Sequence, residues 1–301
     1  MKRSFFIYAY LQSMRIVLLV RKVMYVLTFK IRKSMIFYQI SLRMLAPFSW
    51  RHKLAKMEID ERYSDAIAVA TARLKKDSEN KAFLHEVIAR NYRNLNQIDL
   101  AGSHIDKARE LGNDHPSLLY EQGLIYFLKK QYAKAREKLE QALAQGYETA
   151  PLQIHLGKVY YQLGLMDKAE RCFEKVLIVY PNEGSVYFLL GMVLKNKRMY
   201  VDARDAFLRA IEYGSDHKEE HLGLAEIYTR EGQWEKAIRE YQSIIRDDPA
   251  NFVSHYFLGL IYEIQGYENE AIQAYIKANK LNPEDEETVN RLTRLLESSP
   301  T

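Results

Sequence analysis

A 34-residue period constrains this chain more than any other feature. The stretch Phe252–Asp285, FVSHYFLGLIYEIQGYENEAIQAYIKANKLNPED, carries Leu258, Gly259, Tyr262, Ala271, Tyr275, Ala278 and Pro283, and stepping back by one such period returns the pattern five times without a slip. The six units are 82–115, 116–149, 150–183, 184–217, 218–251 and 252–285. A period of this size means that each unit is one supersecondary element unable to bury its apolar face alone, so neighbours stack and the body is one solenoid.

Within each unit the pattern reads as two helices. The eighth residue is Ala89, Gly123, Gly157, Gly191, Ala225 and Gly259 in turn. A small side chain is needed there because two helices approach closely. The matching small site in the second helix is alanine every time, at Ala101, Ala135, Ala169, Ala203, Ala237 and Ala271. Large apolar residues fill the space between: Tyr92, Tyr126, Tyr160, Leu194, Tyr228 and Tyr262 on one helix, and Ile105, Leu139, Phe173, Phe207, Tyr241 and Tyr275 on the other. Each unit then ends on its own stop signal, Gly112, Gly146 or Gly214 in three units and Pro181, Pro249 or Pro283 in the rest. Glycine ends a helix by adopting the left-handed conformation, and proline cannot continue one. Gly164, Gly232 and Gly266 mark the bend inside three units.

These residues resemble the tetratricopeptide repeat family, with Leu-Gly and Tyr in the first helix, Ala, an aromatic and Ala in the second, then Pro. The resemblance covers six consecutive units and implies an all-α, right-handed superhelical solenoid of stacked helix–turn–helix repeats. A degenerate first repeat is expected at 47–81, where Trp50, Tyr63 and Ala66 fall on family positions, Leu54 replaces the small residue and Lys81 breaks the period. The final stretch, 286–301, is expected to hold a capping helix and tail rather than a catalytic domain, with Val289, Leu292, Leu295 and Leu296 facing inward.

Charge divides the chain sharply. Residues 1–57 hold 12 Lys/Arg and no acid, whereas residues 58–301 hold 32 Lys/Arg against 39 Asp/Glu. The segment 1–46 is basic, apolar and aromatic, and its uncharged runs all fall short of the roughly 18 apolar residues of a clear membrane span. On a helical wheel Arg15, Arg21, Lys22, Lys30, Arg32, Lys33 and Arg43 cover about half the circumference, which suits a helix lying in an anionic membrane surface. Three other readings stand beside that one: a span from Ser4 to Val20 with Arg15 snorkelling, a cleaved organelle presequence, and helices that pack on the solenoid. Basic arms for nucleic acid are less apolar than this, so no nucleic-acid partner is expected.

Chemistry finds few candidates. One cysteine, Cys172, excludes an internal disulfide framework and a Cys-based zinc cluster. His217 and His221 have the spacing of a metal pair, but His221 has counterparts at His85 and His255, a whole number of periods away, which places it in the repeat pattern. The glycines follow the repeat turns rather than a phosphate-binding loop. No enzyme activity, cofactor or metal is expected.

In arrays of the family that this chain resembles, the first helices line a concave face that holds the partner. By register that face carries Tyr120, Leu124 and Phe127, then Ile154, Lys158 and Tyr161, then Phe188 and Met192, and finally Tyr256, Phe257 and Leu260; the fifth unit offers Leu222, Glu226 and Arg230. The Lys, Asn and Arg set with which some members grip a C-terminal carboxylate is absent, since the corresponding sites hold Glu86 with Arg90, Tyr120 with Leu124 and Ile154 with Lys158. An apolar, aromatic lining suits an amphipathic helix or an apolar peptide. The expected function is a non-enzymatic scaffold or adaptor, membrane-associated through residues 1–46, with the repeats on the cytoplasmic side and protein partners in the groove. The alternative is a soluble, self-associating assembly protein or accessory subunit whose N-terminal helices pack into a repeat groove.

Overall fold

The structure, a computed structural model, describes residues 49–215 and 218–298. The described residues form fifteen α-helices and no strand. They belong to two compact units that divide between Lys76 and Asp77.

The first unit holds α1 (Ser49–Ile59) and α2 (Tyr63–Leu74). Leu54, Ala66 and Ala70 are buried, and the Arg73 guanidinium lies 4.5 Å over the Trp50 ring. The turn between the helices passes through Glu61 at φ 55°. The corresponding turn residue of the next hairpin, Asn96, comes one position later than the period would place it, which is the slip that Lys81 introduces.

The second unit is the array. Its first helices are α3 (Lys81–Asn94), α5 (Pro116–Leu128), α7 (Ala150–Gln162), α9 (Gly184–Asn196), α11 (Lys218–Arg230) and α13 (Phe252–Ile264). Their partners are α4 (Ile98–Glu110), α6 (Tyr132–Ala144), α8 (Met166–Val179), α10 (Tyr200–Glu212), α12 (Trp234–Asp247) and α14 (Glu268–Leu281). Each second helix begins one full period after the last. Each helix packs on its hairpin partner, and each second helix also packs on the first helix that follows, as in a solenoid.

One backbone device makes every hairpin. The amide after the turn residue reaches back five positions: Gln97 to Tyr92, Gln131 to Tyr126, Leu165 to Tyr160, Met199 to Leu194, Gln233 to Tyr228 and Tyr267 to Tyr262, all at 2.8–2.9 Å. This bond closes around a residue of positive φ and satisfies a carbonyl that the helix end leaves open. Glycine supplies that residue in three hairpins, but Asn96, Lys130 and Arg198 supply it in the others at φ 59°, 57° and 61°. The reach-back bond holds Lys130 and Arg198, both exposed, in a backbone conformation that local preference disfavours.

The core follows the small-and-large pattern. All six second-helix alanines, Ala101 through Ala271, are fully buried, as are Leu139, Phe207, Tyr241 and Tyr275. One joint closes on Phe207 of α10 from two sides. A Cβ added at Gly191 of α9 would meet the ring at 2.8 Å, and one at Gly223 of α11 would meet its other edge at 2.6 Å. Two first helices from successive hairpins therefore close on one ring, and neither position has room for a side chain.

The last helix, α15 (Glu286–Ser298), covers the end of the array. Its inner stripe is Thr288, Arg291, Leu292 and Leu295, whereas Val289 and Leu296 are exposed, which corrects the expectation for those two positions. The rotation is set at the start of the helix. Asp285 accepts from the Thr288 amide at 2.9 Å and from its hydroxyl, and this turns the Thr288 face inward. Arg291 then reaches Glu263 of α13 at 3.1 Å.

Candidate functional site: the face of the first helices

From α3 to α11 consecutive first helices touch, so their common face forms a continuous surface. Polar bridges stitch it. Arg93 of α3 holds Glu121 of α5 at 2.8 Å, and the Tyr120 hydroxyl of α5 meets His155 Nδ1 of α7 at 3.2 Å. Asn196 of α9 donates to the Tyr161 hydroxyl of α7 at 2.9 Å, and Lys195 of α9 pairs with Glu226 of α11 at 2.7 Å. At the end of the array Glu263 of α13 accepts from Arg291 and Arg294 of α15 and from the Tyr275 hydroxyl at 2.7 Å.

The side chains expected in the groove divide into two sets. Tyr120 and Leu124 are buried, not free, and this corrects their assignment as open groove residues. The Tyr120 ring is 5.5 Å from Tyr147 and its hydroxyl is engaged by His155, while Leu124 joins the core with Leu139 and Leu156. Here the neighbouring repeat closes over the first helix. Phe127, Ile154, Lys158, Tyr161, Phe188, Met192, Tyr256, Phe257 and Leu260 are half-buried. Several of these rings rest on second helices: Phe188 lies 6.1 Å from Phe207, and Phe257 stacks on Tyr241 at 5.6 Å. The face left open is thus shallow and apolar, and it is richest from Ile154 to Met192. In the fifth unit Leu222 and Glu226 are half-buried and Arg230 is exposed. A pocket of about 170 Å³ lies there between Lys195, Asn196, Tyr200, Glu226, Ile227 and Arg230.

Outside this face the chemistry-bearing residues have structural duties. Burial pushes the Cys172 thiol up to about 11, so the thiolate needed for nucleophilic attack is scarce at neutral pH. His221 Nδ1 lies 2.6 Å from a Glu240 carboxylate oxygen, and His255 Nε2 lies 3.1 Å from the Pro249 carbonyl. His217 lies outside the described residues, and no cluster of three or more metal-ligating side chains occurs among those described.

The His85–His104 pair joins α3 to α4 with Nδ1 atoms 2.9 Å apart. One ring must donate and the other accept, so both cannot be protonated there. Burial, the neighbouring His85 and Lys107 hold His104 down at about 4. A histidine whose folded value lies below its unfolded value of 6.5 favours the native state when neutral. That contribution is complete above pH 6.5 and is lost as the pH falls from there toward 4. Screening at this half-exposed site leaves an expected loss of about 1 kcal/mol. Denaturant unfolding at several pH values should show it, and His104→Asn should flatten the profile. An equally steep profile in the variant would remove the pair as its source.

Four family models match the chain, described as tetratricopeptide repeat over residues 87–151, 126–191 and 253–285 and as TPR repeat over 225–266. Superkiller complex protein 3 of Homo sapiens is 22% identical over 272 residues, covering 76% of this chain and 17% of its own length. The anaphase-promoting complex subunit CDC16 of Saccharomyces cerevisiae is 29% identical over 113 residues, covering 35% of this chain and 14% of its own length. The chain therefore spans less than a fifth of either relative. Among solved structures, the C-terminal part of a TPR repeat-containing protein from Cytophaga hutchinsonii has a TM-score of 0.59 at 18% identity, covering 81% of this chain and 99% of that one. That likeness supports the solenoid fold.

The expected membrane-associated location, with repeats on the cytoplasmic side, is corrected. No helix among the described residues is long and apolar enough to cross a bilayer, a span that takes about 20 residues. Both relatives are named as members of complexes. The residues expected at the membrane, Arg15, Arg21, Lys22, Lys30, Arg32, Lys33 and Arg43, lie outside the described residues.

Proposed function

We propose, from the premise that residues 87–191 and 225–285 are tetratricopeptide repeats, that this chain is a non-enzymatic scaffold holding a protein partner along the face of its first helices. One observation carries the reading. Ile154, Tyr161, Phe188 and Met192 recur on the shared face of α7 and α9, half-buried rather than closed into the core. Apolar side chains left open in a contiguous row lose water only when another surface covers them. A helix or strand laid across the row would do so. The high thiol pKa of Cys172 and the structural bonds of His155, His221 and His255 support binding over catalysis. Relatives named as members of complexes support a place within a larger assembly.

A photocrosslinking residue placed at Met192 should capture a discrete protein from the native host. The same residue at exposed Glu174 on α8 should not. Replacing Tyr161, Phe188 and Met192 together with alanine should cut recovery at least about tenfold with helicity unchanged, the scale of losing a few buried anchors. Equal capture from both positions, or undiminished recovery, would sink the reading.

A further inference from the structure

We propose that the face running from α7 to α11 takes an extended protein segment of the form acid–apolar–acid, its two carboxylates seated on Lys158 and Arg230 and its apolar residues on Phe188 and Met192. The proposal rests on the binding role of this face and adds the chemistry of what it binds.

Charge on the face carries the argument. The helices α7 and α9 contain no Asp or Glu, and the single acid of α5, Glu121, is buried and held by Arg93. Of the three acids of α11, Glu220 is buried, Glu226 pairs with Lys195 and Glu219 stands exposed at the helix start. Against that background stand three cations. Lys195 is satisfied by Glu226 at 2.7 Å. Lys158 shares its helix face with Ile154 and Tyr161 and is half-buried, and no described residue gives it a hydrogen bond or an ion pair. Arg230 lies 5.3 Å over the Tyr200 ring and makes no ion pair among the described residues, since Glu226, which shares its pocket, is turned to Lys195. Burial lowers the pKa of Lys158, which is the mark of an ammonium that has lost water and gained nothing in return. A carboxylate arriving with a partner would replace that lost hydration by a charge-assisted bond.

Geometry sets the form of the segment. Lys158 and Arg230 lie on first helices two repeats apart, roughly 20 Å at ordinary helix spacing. One carboxylate cannot serve both, so the chemistry is that of two acidic side chains rather than of a chain terminus. An extended strand covers that distance in about six residues. Between the two cations lies α9, which presents Phe188 and Met192. The pocket beside Arg230 also holds Lys195, Asn196, Tyr200 and Glu226. Lys195 is paired with Glu226, and Asn196 donates to Tyr161 and to the Met192 carbonyl, so Arg230 is the cation left for the second acid. The chain's own N-terminal segment, 1–57, holds 12 Lys/Arg and no acid, so its charge does not match this face.

A random peptide library displayed on phage and panned against the full chain tests this directly. The expected binders carry two Asp or Glu flanking apolar residues, and the affinity of the synthesised peptides falls about tenfold in Lys158→Met and in Arg230→Met. The unfolding midpoint of Lys158→Met should not drop, because the substitution removes a half-buried unpaired charge; a loss of affinity tracking a loss of stability would overturn the assignment. Enriched peptides that are apolar or basic, and indifferent to both substitutions, overturn the acidic inference while the binding face stands. Peptides insensitive to Phe188→Ala and Met192→Ala overturn both. A single-stranded oligonucleotide that binds with the same dependence on Lys158 and Arg230 would replace the protein partner with nucleic acid.

Discussion

Replacing Phe207 with alanine should lower the unfolding free energy by about 4 kcal/mol, the middle of the range for deleting a fully buried aromatic side chain. The ring is completely buried and belongs to two joints at once. Gly191 of the preceding helix and Gly223 of the following hairpin both touch it at distances that leave no space for a Cβ. The hole left by alanine cannot be filled from either side, because the flanking residues are glycines without side chains to swing in. Adding bulk from outside is the converse experiment. Gly223→Val should cost about 2 kcal/mol by overpacking. Combining it with Phe207→Leu should cost less than the two separate losses, since the shorter side chain vacates the space that valine needs. Denaturant unfolding followed by far-ultraviolet circular dichroism measures each of these proteins. Strict additivity would mean that Gly223 and Phe207 do not share the joint, and a loss below about 1 kcal/mol in Phe207→Ala would mean that the site collapses freely.

Glu263→Ala should release the terminal helix at a cost of about 2 kcal/mol, because a half-buried cation and a buried hydroxyl lose their acceptor together. Glu263 takes the Tyr275 hydroxyl at 2.7 Å, Arg291 at 3.1 Å and Arg294. Burial acts to raise its carboxyl, but the Tyr275 bond and the two guanidinium groups override it and hold the group below the ordinary glutamate range. A carboxylate depressed on folding stabilises the native state above its unfolded value, and the contribution disappears as the pH falls through its folded one. The protection factors of the α15 amides, corrected for the intrinsic exchange rate at each pH, should therefore fall on acidification in the wild type. In Glu263→Ala they should be low at neutral pH already, with α9 and α10 unaffected. Protection of α15 that survives both treatments would show that Leu292 and Leu295 hold the helix without Glu263.

The repeat makes the array legible in the sequence, since a fixed period predicts that Ala101, Ala135, Ala169, Ala203, Ala237 and Ala271 are equivalent, and all six are fully buried. Gly191 is readable as a close approach for the same reason, whereas Gly223 is not, because it lies outside the repeated small site and its role depends on which ring a neighbouring hairpin presents. The turns at Lys130 and Arg198 are hidden as well. Their positive φ is imposed by the reach-back bond of the hairpin, and no local signal marks a lysine or an arginine for it. In the candidate site, register identifies the face but not the depth of each residue on it. Tyr120 and Ile154 occupy the same position of successive units, yet Tyr120 is closed in by Tyr147 and His155 while Ile154 stays half-open. Pair contacts between units, such as Asn196 with Tyr161, decide that depth, and periodicity alone carries no information on them. Val289 and Leu296 depart from expectation because apolar character matters less there than the Asp285–Thr288 bond that sets the rotation of the helix.

The bridges between first helices join residues close in the chain: Arg93 to Glu121 spans 28 positions, Lys195 to Glu226 spans 31 and Asn196 to Tyr161 spans 35. Among the described residues of the array, none of these bridges waits for a distant segment to return. The conformational search is therefore divided into short closures, each about as long as one hairpin, and topology of this kind favours rapid folding. A nascent chain can settle each hairpin onto the one already made, so the array grows in the order in which it is synthesised.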